Sequence, residues 1–246
     1  MTTSGIYIIT QTFTQLLTDA LVDLGVLDVD ESPSANQLAA GIRKFNGLLF
    51  QLKGPKTHFL SSERGWTRET ASLTPSASKA TYSLQPSGGD LAVQIPTEIL
   101  AVLMRNTATS SDTPLTYMTH DEYRLIPNKV AVSTPTRWYY EKRLSEGLLY
   151  LDGYCPADIV SGYTFQITYR QPLEVVTDGS QTLDIPPEWN RAFEWNLARE
   201  LAPGFTIDEK TWTRVVSLAN EAMGVANTHE LESPPIFYQR GKDMDD

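Results

Sequence analysis

The hydrophobic positions along this chain change their spacing twice. Near both ends apolar residues recur every three or four positions, as on one face of a helix. Between about Thr57 and Asp184 they alternate or come in short runs broken by turn residues. The first helical stripe is Phe13, Leu16, Leu17, Ala20, Leu21 and Leu24, with Thr12 and Gln15 spaced as a capping box and Gly25 as the stop. The second follows Ser34 and Gln37, a repeat of that capping spacing. It runs through Leu38, Ile42, Phe45, Leu49 and Leu52 to a break at Gly54 and Pro55.

After the middle, Pro186 and Pro187 preset a helical turn, and Trp189, Ala192, Phe193, Leu197 and Leu201 make the third stripe. Pro203 and Gly204 close it. A fourth helix is predicted from near Thr206, with Glu209 in the reciprocal capping position and Trp212, Val215, Val216, Ala219, Ala222, Met223 and Ala226 as its apolar face.

The intervening stretch reads as β structure: Thr81–Leu84, Ile99–Arg105, Pro114–Met118, Thr136–Glu141, Leu148–Leu151 and Tyr163–Arg170. In the last of these Tyr163, Phe165, Ile167 and Tyr169 alternate with polar neighbours, which predicts a strand with two unlike faces. Ser87–Asp90 and Asp152–Gly153 are turn material, and Thr119–Leu125 suggests a short helical turn. The fold class is therefore α+β. About four helices from both chain ends form a helical core, with an inserted antiparallel β domain and an extended C-terminal tail. The expected boundaries are 1–56 and 186–228 for the two halves of the core, 57–185 for the insertion and 229–246 for the tail. In that tail Pro234, Pro235, Ile236, Phe237 and Tyr238 show no period and cannot bury enough to fold alone. The aromatic cluster is a plausible anchor in another chain.

Composition narrows the function. Twenty Lys and Arg against thirty Asp and Glu leave a net charge of −10, the wrong sign for gripping phosphates, though suited to a channel wall along which DNA slides. The single cysteine, Cys155, excludes an intrachain disulfide framework. The N-terminal segment lacks a basic signal region and no apolar run nears the roughly 18 residues of a span. The expectation is a soluble chain, made in the cytoplasm, with no membrane partner.

Candidate chemistry is thin. There is no nucleophile elbow, and Cys155 sits between Tyr154 and Pro156 as a structural residue. His58, His120 and His229 lack the i, i+4 pairing of a helical zinc site. Asp28, Asp30 and Glu31 lack the glycine and closing glutamate of a calcium loop and read as an acidic approach to the second helix. Gly88 and Gly89 are followed by Asp90, not by a phosphate-binding lysine. Among Glu188, Glu194 and Glu200 no pair stands out for glycoside hydrolysis. Arg137, Trp138, Tyr139 and Tyr140 could stack bases or a sugar, yet a β core uses the same residues. No cofactor, metal or catalytic site is expected. Trp195 falls on the opposite side of the third helix from Trp189 and Phe193, which suggests a second burial surface: the β domain or a subunit seam.

The order of features resembles the head-to-tail adaptor, or tail accessory factor, proteins of short-tailed phages. The resemblance rests on LGVLDVDESPSANQLAAGIRKFNGLL, THDEYRLIPNK with TPTRWYYEKR, GLLYLDGYCPAD with YTFQITYRQPL, IPPEWNRAFEWNLARELAP and the closing PPIFYQRGKD. It implies a structural virion protein at the head-tail junction, present in the host cytoplasm before assembly, and not an enzyme. Copies would form a ring below the portal, twelve by the portal's symmetry. The ring would close the DNA exit and offer a platform to the next tail component, a nozzle or tail tube, while packaged DNA passes without sequence-specific binding. By the same resemblance Pro234, Pro235, Ile236, Phe237, Tyr238, Gln239 and Arg240 would dock on the portal. Another neck or tail-tube protein, or a peptidoglycan-binding or cell-wall-degrading protein, are the alternatives.

Overall fold

A computed structural model of the chain describes residues 11–52 and 67–229. The helices are α1 (Phe13–Asp23), α2 (Ala35–Leu52), α3 (His120–Leu125), α4 (Ala157–Gly162), α5 (Pro187–Leu201) and α6 (Glu209–His229). The strands are β1 (Arg68–Leu73), β2 (Thr81–Gln85), β3 (Leu91–Ala92), β4 (Glu98–Asn106), β5 (Asp112–Pro114), β6 (Thr116–Tyr117), β7 (Arg137–Lys142), β8 (Gly147–Leu151) and β9 (Tyr163–Arg170). The described residues fall into two compact units, one within Met1–Arg64 and Val176–Asp246, the other within Gly65–Val175.

The first unit is helical. Thr12 caps α1 by accepting the Gln15 N–H, while the Gln15 side chain accepts the Thr12 N–H, so two otherwise unpaired donors are satisfied together. Two more donors of that first turn are met from the far end of the chain, since Phe13 N–H donates to the Gln181 carbonyl (3.0 Å) and Thr14 N–H to that of Gly179 (2.9 Å). Gly25 ends the helix at φ +70°, a conformation that glycine adopts without steric cost. Ser34 and Gln37 cap α2 in the same reciprocal manner.

The apolar stripes meet in a shared core, where Phe45 tilts against both Phe13 (5.3 Å) and Phe193 (5.5 Å) and Trp189 packs on Phe193 (6.1 Å). Each such fully buried side chain contributes about 1.5–3 kcal/mol relative to exposure. Gly41 lets α2 close on α1, because a Cβ there would stand 2.7 Å from a methyl of buried Leu17. Buried Asn196 ties α5 to itself and to α6 by donating to the carbonyls of Ala192 (2.7 Å) and Ala219 (3.5 Å).

Two expectations for α6 need correction. Its cap is Asp208, whose carboxylate accepts the Thr211 N–H (3.2 Å), and not Thr206. Trp212 lies on the predicted stripe yet is 39% exposed, because periodicity assigns an angle around the helix and says nothing of how far the facing surface extends.

The second unit holds two sheets, β1-β9-β4-β5 and β3-β2-β8-β7-β6. Phe165, Ile167 and Tyr169 of β9 face the core, joined by Val102 and Met104 of β4, Tyr82 and Leu84 of β2, Trp138 of β7, and Leu149 and Leu151 of β8. Most pairings are antiparallel as expected, but β2–β3 and β6–β7 are parallel.

The single strand expected over Pro114–Met118 is split at Leu115, the residue where the chain changes sheets. Its N–H donates to the Val102 carbonyl (2.9 Å), and its own carbonyl takes the Trp138 indole N–H (3.2 Å). Neither β1 nor the helix α4 was anticipated. The polar pattern of Arg68–Leu73 carries no alternation, and this strand is recruited at the sheet edge by backbone pairing with β9. The short helix at Thr119–Leu125 forms as expected, with Thr119 and Glu122 in a reciprocal cap.

Candidate functional site

Two open grooves lie among the described residues of the helical unit. One, of about 530 Å³, is largely apolar and lies among Leu21, Ala40, Leu201, Pro203 and Phe205, with Arg43, Lys44 and Glu200 at its polar lining. Lys44 and Glu200 pair across it at 3.9 Å. The other, of about 770 Å³, runs between α1 and the N-terminal half of α5, lined by Gln15, Asp19, Asp23, Asn190, Arg191, Glu194 and Trp195 among others.

Trp195, the candidate seam residue, thus lines the second groove while being only 7% exposed within its own chain. Helix α5 is in contact with α1, α2 and α6, so much of its circumference is covered inside the subunit. Among the described tryptophans, Trp212 is the one that is partly exposed. The other candidates, Pro234, Pro235, Ile236, Phe237, Tyr238, Gln239 and Arg240, lie outside the described residues, as does His58.

The second groove also holds a grouping that sequence did not suggest. Asp19, Asp23 and Glu194 line it together. Burial first, then the neighbouring carboxyls of Asp23 and Asp19, push the Glu194 carboxyl up to about 7 against the pull of Arg191. Burial and Asp23 likewise raise Asp19, partly offset by the Gln11 amide, which donates to it at 2.9 Å. Where no carboxylate pair was legible in the sequence, the fold gathers these groups at one groove.

In the β unit the Trp138, Tyr139, Tyr140 run is parted by strand alternation. Trp138 is buried, and Tyr140, whose hydroxyl donates to the Pro96 carbonyl (2.8 Å), packs on the core. Tyr139 goes to the other face, between His120 (5.6 Å), Tyr123 (6.0 Å) and Tyr150 (5.7 Å). These rings satisfy each other and pin α3 to the sheet. Tyr117, 56% exposed, rests edge-on against Trp138 at 5.1 Å. Cys155 is a buried free thiol, raised by burial. Glu31 accepts the Asp28 N–H (3.3 Å) within its own turn. Among the described residues no group of three or more His, Cys, Asp or Glu is arranged to hold a metal ion, and no helix is long and apolar enough to cross a membrane.

No curated protein matches this chain. A family model does, described as SU10 adaptor protein, and it aligns with residues 11–226, which take in both units and stop short of the C-terminal segment. With most of the chain inside that match, the chain belongs to the SU10 adaptor protein family, a family of phage head-tail adaptors.

Proposed function

We propose that this adaptor assembles as a ring of twelve copies beneath the phage portal, closing the DNA exit and joining the capsid to the next tail component. The observation that carries this reading is the family match through residues 11–226. The domain plan proposed with it is the helical core as the ring's body, the β insertion as a separate module and residues 229–246 as a docking tail. Support for the tail comes from its sequence: Pro234 and Pro235 favour an extended chain, and Ile236, Phe237 and Tyr238 are costly to leave in water. A ring multiplies weak contacts, because each docked tail raises the effective concentration of the others. Ordering a tail only on docking weakens a lone subunit's hold and makes assembly depend on a completed portal ring. Trp195 and the groove it lines are proposed as part of the seam between copies.

The test mixes purified chain with portal rings and images the product. Twelvefold density at the portal exit is the expected result, lost on deletion of residues after Thr228. Absence of binding overturns the reading in favour of another neck or tail-tube role, and clearing of peptidoglycan would point to a lytic one. For the seam, Trp195→Ala is expected to lower the oligomeric mass, and an unchanged mass removes Trp195 from the interface.

A further inference from the structure

We propose that Trp212 of one copy enters the apolar groove of the next, with Glu209 set against Arg43, as a head-to-tail contact between subunits. This contact rests on the ring reading above and gives it a knob and a hole. Trp212 stands in the first turn of α6 and is 39% exposed, whereas Val215, Ala219 and Ala226 on the same stripe are buried. A large aromatic face is thus left in water where the helix begins. Helical spacing puts Asp208 and Glu209 beside it, one turn earlier on the same side. Asp208 is occupied in capping the Thr211 N–H (3.2 Å). Glu209 is exposed, and its carboxylate has no hydrogen bond or ion pair among the described residues.

The groove supplies the counterpart. Leu21, Ala40, Leu201, Pro203 and Phe205 give it an apolar lining, and its volume of about 530 Å³ falls within the roughly 300–1,000 Å³ of pockets that bury small ligands. An indole therefore fits. Two cations of α2 join that lining. Lys44 pairs with Glu200 at 3.9 Å, whereas Arg43 is exposed and has neither hydrogen bond nor ion pair among the described residues. The tryptophan patch thus carries an unpaired anion and the groove an unpaired cation, the complementarity by which one surface selects the other.

The two surfaces belong to different parts of the helical unit. The groove is walled by α1, α2, α5 and the turn after α5, and takes no residue from α6. Unlike but complementary patches on one chain join copies head to tail, and such contacts close into a ring when the rotation between neighbours divides a full turn. Every groove and every Trp212 is then filled. Burying the indole supplies the affinity, since tryptophan is prominent among the residues that dominate interfaces, and the charged pair sets the orientation.

The test counts copies of the full chain bound per portal ring by native mass spectrometry. Wild type is compared with Trp212→Ala, Arg43→Glu, Glu209→Arg and the double reversal Arg43→Glu with Glu209→Arg. All these positions are exposed, so circular dichroism should report the wild-type fold for each variant. Trp212→Ala and each single reversal are expected to raise the concentration that half-fills the rings by about tenfold or more. The double reversal should bring it back to within about threefold of wild type. A wild-type ring that Trp212→Ala leaves unchanged overturns the contact and leaves the ring reading standing. So do single reversals that the double variant fails to rescue, which give the groove to another occupant. A wild type that never forms a ring removes the ring reading, and this contact with it.

Discussion

Asn46 and Val176 hold each other at two points: the Asn46 amide nitrogen donates to the Val176 carbonyl (2.8 Å) and its oxygen accepts the Val176 N–H (2.9 Å). The amide thus copies one rung of a β-ladder. It fastens the point where the chain re-enters the helical unit to the middle of α2, just before Gly179 and Gln181 supply the carbonyls that cap α1.

Asn46→Ala is expected to cost about 1–3 kcal/mol, because both backbone groups of Val176 lose their partner in a partly buried site. Asn46→Asp should cost a comparable amount, since a carboxylate still accepts the Val176 N–H but faces the carbonyl with no donor. Urea unfolding at neutral pH measures both. A midpoint within error of wild type for Asn46→Ala would mean that the clamp contributes nothing.

Two tryptophans of the helical unit should behave oppositely. Trp189 is fully buried and Trp212 is 39% exposed. Trp189→Ala is expected to lose about 3–5 kcal/mol through the cavity it leaves. For Trp212→Ala the loss should stay within about 1 kcal/mol. Denaturant titration of the two variants side by side checks this, and equal losses would show that Trp212 packs far more than its exposure indicates.

In the β unit a carboxyl is shifted the opposite way from that of Glu194. Burial alone would raise the Asp90 carboxyl, but the Lys79 ammonium and the Ser83 N–H (2.8 Å) and hydroxyl (3.1 Å) outweigh it and hold it below the usual aspartate value. A carboxyl held low in the fold stabilises above its unfolded value, about 3.9, and that contribution fades as pH falls through the folded value. Asp90→Asn should therefore be less stable than wild type at pH 6, with the gap closing toward pH 3. An equally wide gap at pH 3, read from urea midpoints, would refute the assignment.

Much of this fold was legible in the residues themselves. Thr12 with Gln15 and Ser34 with Gln37 mark helix starts because capping acts over three residues, and the stripe from Trp189 to Leu201 follows from the helical repeat alone. The alternation of Phe165, Ile167 and Tyr169 likewise needed only the two-residue period of a strand. These are local rules, and the chain carries them wherever it goes. Tertiary structure decided the rest. It recruited the patternless Arg68–Leu73 to a sheet edge by backbone pairing, broke Pro114–Met118 at Leu115 to serve two sheets, and left Trp212 outside the core. It also brought Asp19, Asp23 and Glu194 to one groove. A carboxyl has no periodicity by which to announce a neighbour on another helix; only the packing of α1 on α5 sets the burial that raises Glu194.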